Sequence, residues 1–331
     1  MPRRGERAVF MQIYFAPMEG LTDALYRRTH HACFSGVDKY FMPFVSPSAS
    51  LSFTLRTEAD ISPAQNAGVP AVPQILARNP DYFNGMAQVF AQAGYTEVNL
   101  NAGCPSGTAT GKGKGAGLLQ SPDELARFLD AIFARPPLPV SIKARIGWER
   151  PEEWPRLMEI FARYPLHELI LHPRTRKEGY AGSPHRERYA QALSALPYPV
   201  VYNGDLFSLA DCQAFAADFP HAPAVMLGRG LAGNPALAQT FTGGAPLTLE
   251  ALERFHRLLF SGLLRTWPRD AAVGHMHLIM QYLCACFENS GKAWRAIRRA
   301  TMPEDYEDAA ALLFACPLRE APAFSPAQYA L

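Results

Sequence analysis

The chain has 331 residues, 48% of them hydrophobic and 19% charged, with a net charge of +2. This balance is typical of a soluble globular protein that can form one large domain and a small one. The net charge is too small to indicate nucleic-acid binding by itself, although a global count can hide a local patch. No run approaches the roughly 18 apolar residues of a membrane span, so we expect a cytoplasmic protein without a membrane partner.

Eight short runs rich in β-branched and aromatic residues predict eight strands, at residues 11–16, 37–42, 71–76, 95–100, 138–144, 167–172, 198–203 and 222–228. Helix-start signals separate them. Ser121 begins a capping box with Glu124, and Asn79 and Ser208 open further helices in the same way. Eight strand-helix units with nearly continuous apolar strands predict an α/β fold, a (β/α)8 TIM barrel over residues 1–240.

The strand signals stop near residue 246, and three or four helices are expected over residues 246–331. We expect this segment to form a C-terminal helical domain that binds RNA, with residues 241–246 as the linker. Its basic face would comprise Lys292, Arg295, Arg298 and Arg299, with Trp294 beside it. A solvated helix with salt bridges explains these charges as well as an RNA contact does.

The six cysteines are scattered, without a CxxC pair or a partner at zinc-finger spacing. Neither a disulfide framework nor a metal site is therefore predicted. Cys104 differs from the others because it lies in a Gly-Cys-Pro turn after the fourth predicted strand, where the active site of a barrel is built.

Polar and glycine-rich residues follow several of the other strands as well. The loops after strands seven and eight, Asn203-Gly204-Asp205 and Gly228-Arg229, are where barrels commonly bind phosphate. Lys143 lies in an otherwise apolar run and needs an anion or an electron-rich ring to offset its desolvation. A lysine, a histidine (His172) and a phosphate site at one rim suit flavin mononucleotide, FMN.

Six segments at these strand ends, in this order, resemble the tRNA-dihydrouridine synthases: YFAPMEGLTD, EVNLNAGCPSG, SIKARIG, LHPRTR, VYNGD and VMLGRG. The resemblance covers the whole barrel. It implies FMN-dependent reduction of uridine to 5,6-dihydrouridine in tRNA, with NADPH as the electron donor. It also implies FMN contacts from Pro17, Met18, Glu19, Gln74, Lys143, His172, Asn203, Gly204, Asp205, Gly228 and Arg229.

The same resemblance makes Cys104 the catalytic cysteine and places Asn101, Arg145 and Arg174 near the substrate uridine. A thiol with a pKa of about 8.5 is mostly protonated at neutral pH and can act as a general acid. A nucleophilic cysteine would need a base close by, and the sequence places none next to Cys104. Lys112 and Lys114, which alternate with glycines, are expected on a mobile loop that closes over the RNA backbone.

Three alternatives remain open at this level. The chain could be an FMN oxidoreductase for a small molecule, as dihydroorotate dehydrogenases are, or a dihydrouridine synthase for ribosomal RNA. An RNA-binding barrel without turnover is the third. We expect tRNA as the partner and no obligate protein partner, and the sequence does not indicate which uridine is reduced.

Overall fold

The computed structural model describes residues 11–325 of the chain. Nine parallel strands form one sheet in the order β3-β2-β1-β9-β8-β7-β6-β5-β4. In chain order, β1 to β9 are Gln12–Phe15, Lys39–Phe41, Ala71–Val72, Gln74–Ile75, Val98–Ala102, Val140–Arg145, Leu169–His172, Val200–Tyr202 and Ala224–Leu227. All eight predicted strands are present, and each observed strand begins within three residues of its predicted start.

The two edge strands of this order, β3 and β4, are two parts of one predicted strand. Only Pro73 separates them, and a proline interrupts a strand because it has no N–H for the ladder. β3 pairs with β2, while β4 pairs with β5, so the chain itself closes the sheet. The predicted eight-position TIM barrel is therefore confirmed.

Helices surround the barrel and follow it along the chain. In the described part of the chain, α1 to α14 are Ala24–Cys33, Leu55–Ile61, Pro80–Gln92, Gly107–Thr110, Pro122–Phe133, Trp154–Phe161, Arg186–Ala195, Leu209–Asp218, Arg229–Gly233, Leu237–Phe241, Leu249–Thr266, Arg269–Leu283, Gly291–Ile297 and Pro303–Phe314. Short 3₁₀ helices span Gly115–Gln120, Pro151–Glu153 and Cys284–Cys286. None of the described helices is long and apolar enough to cross a bilayer.

The predicted helix starts are correct, with one difference. Ser208 and Asp211 form a full capping box. Ser121 accepts the N–H of Glu124, but the Glu124 carboxylate pairs with Arg78 at 3.1 Å instead of returning to the cap. The box at α5 is therefore half formed.

Of the four C-terminal helices, α11 packs against α1 and α12 against α9 of the barrel layer, while α13 and α14 pack on α12. The ring of Phe255 on α11 contacts those of Tyr26, His30 and Phe34, with centroids 5.4–6.1 Å apart. One hydrophobic core continues through this junction. The division into domains at residues 1–240 and 246–331 stays a prediction, and residues 1–10 and 326–331 of those ranges lie outside the described residues.

The interior of the barrel has an apolar half and a polar half. Inward-facing residues of β1, β2, β3, β7, β8 and β9 form a small cluster: Tyr14, Ala16, Phe41, Val72, Ile170, Val201, Ala224 and Met226. On β4, β5 and β6, every second residue, on one side of the sheet, is polar instead. These residues are Gln74, Asn99, Asn101, Ser141 and Lys143. The polar half leads to the carboxyl ends of the strands, where the site lies.

Candidate active site

A cavity of about 90 Å³ opens at the carboxyl ends of the strands. Nine of the eleven residues predicted to bind the cofactor line it: Pro17, Met18, Lys143, His172, Asn203, Gly204, Asp205, Gly228 and Arg229. Glu19 is exposed near Cys104, and Gln74 is buried below the mouth. The structure thus brings together residues from five strands of the barrel. The individual FMN contacts stay predictions.

Lys143 differs from the other charged residues of this cavity in its lack of a partner within the described part of the chain. It lies half-buried on β6, and its ammonium has no hydrogen-bond or ion-pair partner among residues 11–325. Desolvation, with a contribution from the neighbouring Arg145 guanidinium, lowers the pKa of Lys143 to about 7. An anionic or electron-rich ligand in the cavity would restore the charge of this side chain.

His172 ends β7 and is buried among cations. Desolvation first, and then Arg145, Lys143, Arg174 and Arg229, hold the pKa of His172 well below its usual range. Arg174 donates to Nε2 of the ring at 3.2 Å, so the single proton of the neutral imidazole is on Nδ1. His172 therefore offers a neutral N–H donor.

Asp205 organises the opposite wall of the cavity. Its carboxylate pairs with Arg229 at 2.7 Å and with the buried Arg174. The preceding residue must be glycine, since a Cβ on Gly204 would lie 2.2 Å from the Tyr202 hydroxyl. The ion pairs of Asp205 thus stabilise this wall, and Gly204 leaves its backbone accessible from the cavity.

The substrate contact expected of Arg174 stays a prediction, and in this structure the side chain is engaged within the protein. The side chain is fully buried, and its N–H groups donate to the carbonyls of Ala181 and Gly182, to His172 and to Asp205. It therefore orders the 173–182 loop and has no donor left for RNA.

Arg145 lies closer to the predicted substrate position. Its Nε donates to the Gly103 carbonyl at 2.9 Å, and one terminal nitrogen donates to the carbonyls of Thr175 and Gly179. Its other terminal nitrogen has no hydrogen-bond partner among residues 11–325. Arg145 thus supports the Cys104 turn and keeps two N–H donors for a ligand.

Cys104 is held in a tight turn at the end of β5. The Asn101 side-chain carbonyl accepts the backbone N–H groups of Gly103 and Cys104, at 3.1 and 2.9 Å. Gly115 packs against it with a φ of +58°, and a Cβ there would approach the Cys104 backbone to 2.9 Å. The backbone of Cys104 is therefore held by Asn101 on one side and by Gly115 on the other.

Burial is also the main influence on the chemistry of this thiol. It raises the pKa of Cys104, and the carboxylate of Glu19 adds to the rise, against opposing effects from the Ser106 backbone, Arg145 and Lys143. The thiol is consequently protonated at neutral pH. In residues 11–325 no group of three or more His, Cys, Asp or Glu is placed to hold a metal.

The segment with the glycine-lysine alternation is not the open loop that was expected. Residues 107–110 and 115–120 are helical, and Gly115 to Leu119 are buried. Lys114 donates to the Ser46 hydroxyl at 2.6 Å, whereas Lys112 is exposed. Gly115 must fit against Cys104, which explains why this stretch packs tightly. Whether either lysine contacts RNA stays a prediction.

Sequence reasoning missed two features of this site. Tyr180 is 60% exposed at the cavity mouth, with its ring near His172 (5.9 Å between centroids) and Arg229 (4.7 Å). It lies in an irregular loop, where no periodic pattern marks it. The second feature, a row of polar side chains below Asn101, was signalled by the alternation Glu97, Asn99, Asn101 on one strand.

Comparisons with known proteins agree with this barrel. Residues 14–310 match the family model described as dihydrouridine synthase. In overall fold the chain resembles an old yellow enzyme homologue from Zymomonas mobilis (TM-score 0.51, 14% identity, 74% of this chain and 92% of that one). Morphinone reductase is similar as well (TM-score 0.50, 15% identity, 74% and 88%). The fold is thus the TIM barrel found in these reductases.

The relatives by sequence are more specific. tRNA-dihydrouridine synthase B of Pasteurella multocida is 30% identical over 236 residues, 70% of this chain and 69% of the relative. The tRNA-dihydrouridine(16) synthases of Salmonella typhimurium (28% over 290 residues, 82% and 89%) and Pseudomonas syringae (26% over 304 residues, 88% and 95%) align over more of the chain. The chain belongs to the dihydrouridine synthase family.

The lowered pKa of Lys143 predicts a pH dependence of stability. Between about pH 7 and 10.5 the unfolded chain binds this proton and the folded protein does not, so stability rises with pH in that window. In Lys143→Met the slope should fall by up to about 1.4 kcal/mol per pH unit. Urea unfolding at several pH values measures it, with the exposed Lys112→Met as the control. Equal slopes in wild type and Lys143→Met would contradict the buried charge.

Proposed function

We propose that this protein reduces a uridine of tRNA to 5,6-dihydrouridine, using FMN and NADPH, with Cys104 as the proton donor. One observation carries the proposal: a protonated thiol, that of Cys104, and an ammonium without a partner in the described residues, that of Lys143, lie within electrostatic reach of each other on the paired strands β5 and β6. The family membership and the names of the relatives support the same reaction.

The residues of the cavity fit FMN. Lys143 supplies the positive charge that the electron-rich edge of the ring system needs, and this ammonium lacks a protein partner in the described residues. Arg229 and the bare backbone at Gly204 and Gly228 suit the phosphate end. The bound FMN would supply the hydride for C6 of the uracil ring, and NADPH would restore it.

The protein's own side chains complete the reduction. Addition of hydride at C6 leaves negative charge at C5 and O4 of the uracil. Cys104 gives its proton to C5, and its thiolate regains a proton from solvent. The free N–H donors of Arg145 can stabilise the charge on the carbonyl oxygen while it develops. Lys143 and Arg145 also favour the thiolate that Cys104 becomes.

The RNA contacts that we propose lie on exposed basic residues. The basic side chains of Lys112, Lys292, Arg295, Arg298 and Arg299 are all exposed, and Arg298 lies 5.6 Å from the Trp294 ring centroid. Helix α13 ends at Ile297, so the last two arginines follow the helix rather than continue its face. A tRNA substrate and NADPH fit a protein that works in the cytoplasm.

We further propose position 16 of tRNA as the target. The alignments with the two tRNA-dihydrouridine(16) synthases cover 82% and 88% of the chain and so extend into the helices after the barrel. The alignment with synthase B covers 70%. Because the reaction centre is in the barrel, the C-terminal helices are the elements that can orient the tRNA and select the uridine.

Replacing the proposed acid tests the mechanism. Cys104→Ala should still bind FMN, since no predicted FMN contact is lost, but dihydrouridine formation should fall by about 10²-fold or more. Flavin absorbance of the purified variant and mass spectrometry of digested tRNA measure the two properties. Cys33→Ala, at another half-buried cysteine, is the control. Full activity of Cys104→Ala would contradict the assignment.

Mapping of dihydrouridine tests the target. In cells that lack this gene, dihydrouridine should disappear at position 16 of tRNA and remain at other tRNA positions and in ribosomal RNA. Sequencing after chemical detection of dihydrouridine at each site gives the map. Loss at a different tRNA position would contradict position 16, and loss only in ribosomal RNA would contradict the tRNA substrate. An unchanged map would favour a small-molecule reductase.

A further inference from the structure

A continuous row of hydrogen bonds runs through the polar half of the barrel, from the Cys104 turn down to a carboxylate at the other end of β5. Asn101 Nδ2 donates to Gln74 Oε1 (2.8 Å), Gln74 Nε2 to Asn99 Oδ1 (2.7 Å), and Asn99 Nδ2 to Ser141 Oγ (2.8 Å). The Ser141 hydroxyl then donates to Glu97 Oε1 at 2.6 Å. We call Asn101, Gln74, Asn99, Ser141 and Glu97 the amide chain.

Both ends of the amide chain demand the same direction. At the top, the backbone N–H groups of Gly103 and Cys104 can only donate, so Asn101 must present its oxygen to them. At the bottom, the carboxylate of Glu97 can only accept, so Ser141 must donate to it. Each of the three amides between these ends can rotate in principle, but only one orientation satisfies all of them.

The carboxylate end is itself well held. Lys39 donates to Glu97 at 2.7 Å and to Glu168 at 2.9 Å. Tyr14 donates its hydroxyl to Glu168 at 2.9 Å, as Ser141 does to Glu97. The base of the barrel thus contains one ammonium, two carboxylates and two hydroxyl donors, of which only Ser141 continues toward the active site.

We propose that Glu97 and Ser141 are positioning residues for the reaction, because they set the direction of the amide chain and thereby hold the Cys104 turn and the Asn101 amide. With this direction, Asn101 turns its acceptor to the Cys104 turn and keeps a second N–H that suits a pyrimidine carbonyl. With the reverse direction, an NH₂ group would face the N–H groups of Gly103 and Cys104, and the turn would open.

The test compares two buried hydroxyl deletions. Ser141→Ala and Tyr14→Phe each remove one hydroxyl that donates to a carboxylate paired with Lys39. Only Ser141 belongs to the amide chain. Alkylation of Cys104 by iodoacetamide, followed at its own peptide by mass spectrometry, reports whether the turn has opened. The rate should rise several-fold in Ser141→Ala and should match wild type in Tyr14→Phe.

Glu97→Gln is the second variant, and it keeps the shape of the side chain. Its NH₂ group is repelled by the Lys39 ammonium, so it turns toward Ser141 and should reverse the chain, with the same rise in alkylation. The second readout, the rate of dihydrouridine formation, rests on the proposed function. For both amide-chain variants kcat should fall roughly tenfold or more, with KM for tRNA unchanged.

Equal alkylation rates and equal kcat values in Ser141→Ala and Tyr14→Phe would overturn the inference. If the wild-type protein forms no dihydrouridine at all, the proposed function fails, whereas the alkylation comparison still decides the role of the amide chain.

Discussion

A desolvated ammonium at the mouth of the barrel, that of Lys143, governs the electrostatics of the site. With no partner among the described residues, it makes the cavity a place for an anion or an electron-rich ring. Desolvation first, and then Arg145, Lys143, Arg174 and Arg229, keep His172 neutral. Lys143 also favours the thiolate of Cys104, against the stronger effect of burial. The ease with which Cys104 gives up its proton and the proposed affinity of the cavity for FMN therefore both depend on this charge.

The barrel can carry this charge because its interior is divided. The apolar half packs as an ordinary core. The polar half holds the amide chain, in which every buried polar group has a partner, as a low-dielectric interior requires. The Cys104 turn is hydrogen-bonded to one end of that chain, while Arg174 and Asp205 form an ion pair behind the cavity wall. The Cys104 turn and the cavity thus each lie next to buried polar residues that hold them in place.

Much of this could be predicted from the sequence, because local patterns determine it. The runs of strand residues and the helix caps predict the barrel, and the positions of residues at strand ends, together with the family resemblance, predict nine residues of the cavity. The contacts that Arg174 and Lys114 make within the protein could not be predicted, for one shared reason. A charge at a strand end or between glycines is predicted to be free, whereas its partners, the carbonyls of Ala181 and Gly182 or the Ser46 hydroxyl, come from tertiary packing. Tyr180 and the amide chain likewise depend on contacts between distant segments.

The central claim is that Cys104 is held as an acid rather than a nucleophile. The most direct measurement is the pKa of this thiol in the purified protein, from the pH dependence of its alkylation read at the Cys104 peptide. The account predicts a pKa above the ordinary value of about 8.5, so that the thiol carries its proton at neutral pH. A pKa below about 7, with a thiolate at neutral pH, would contradict it.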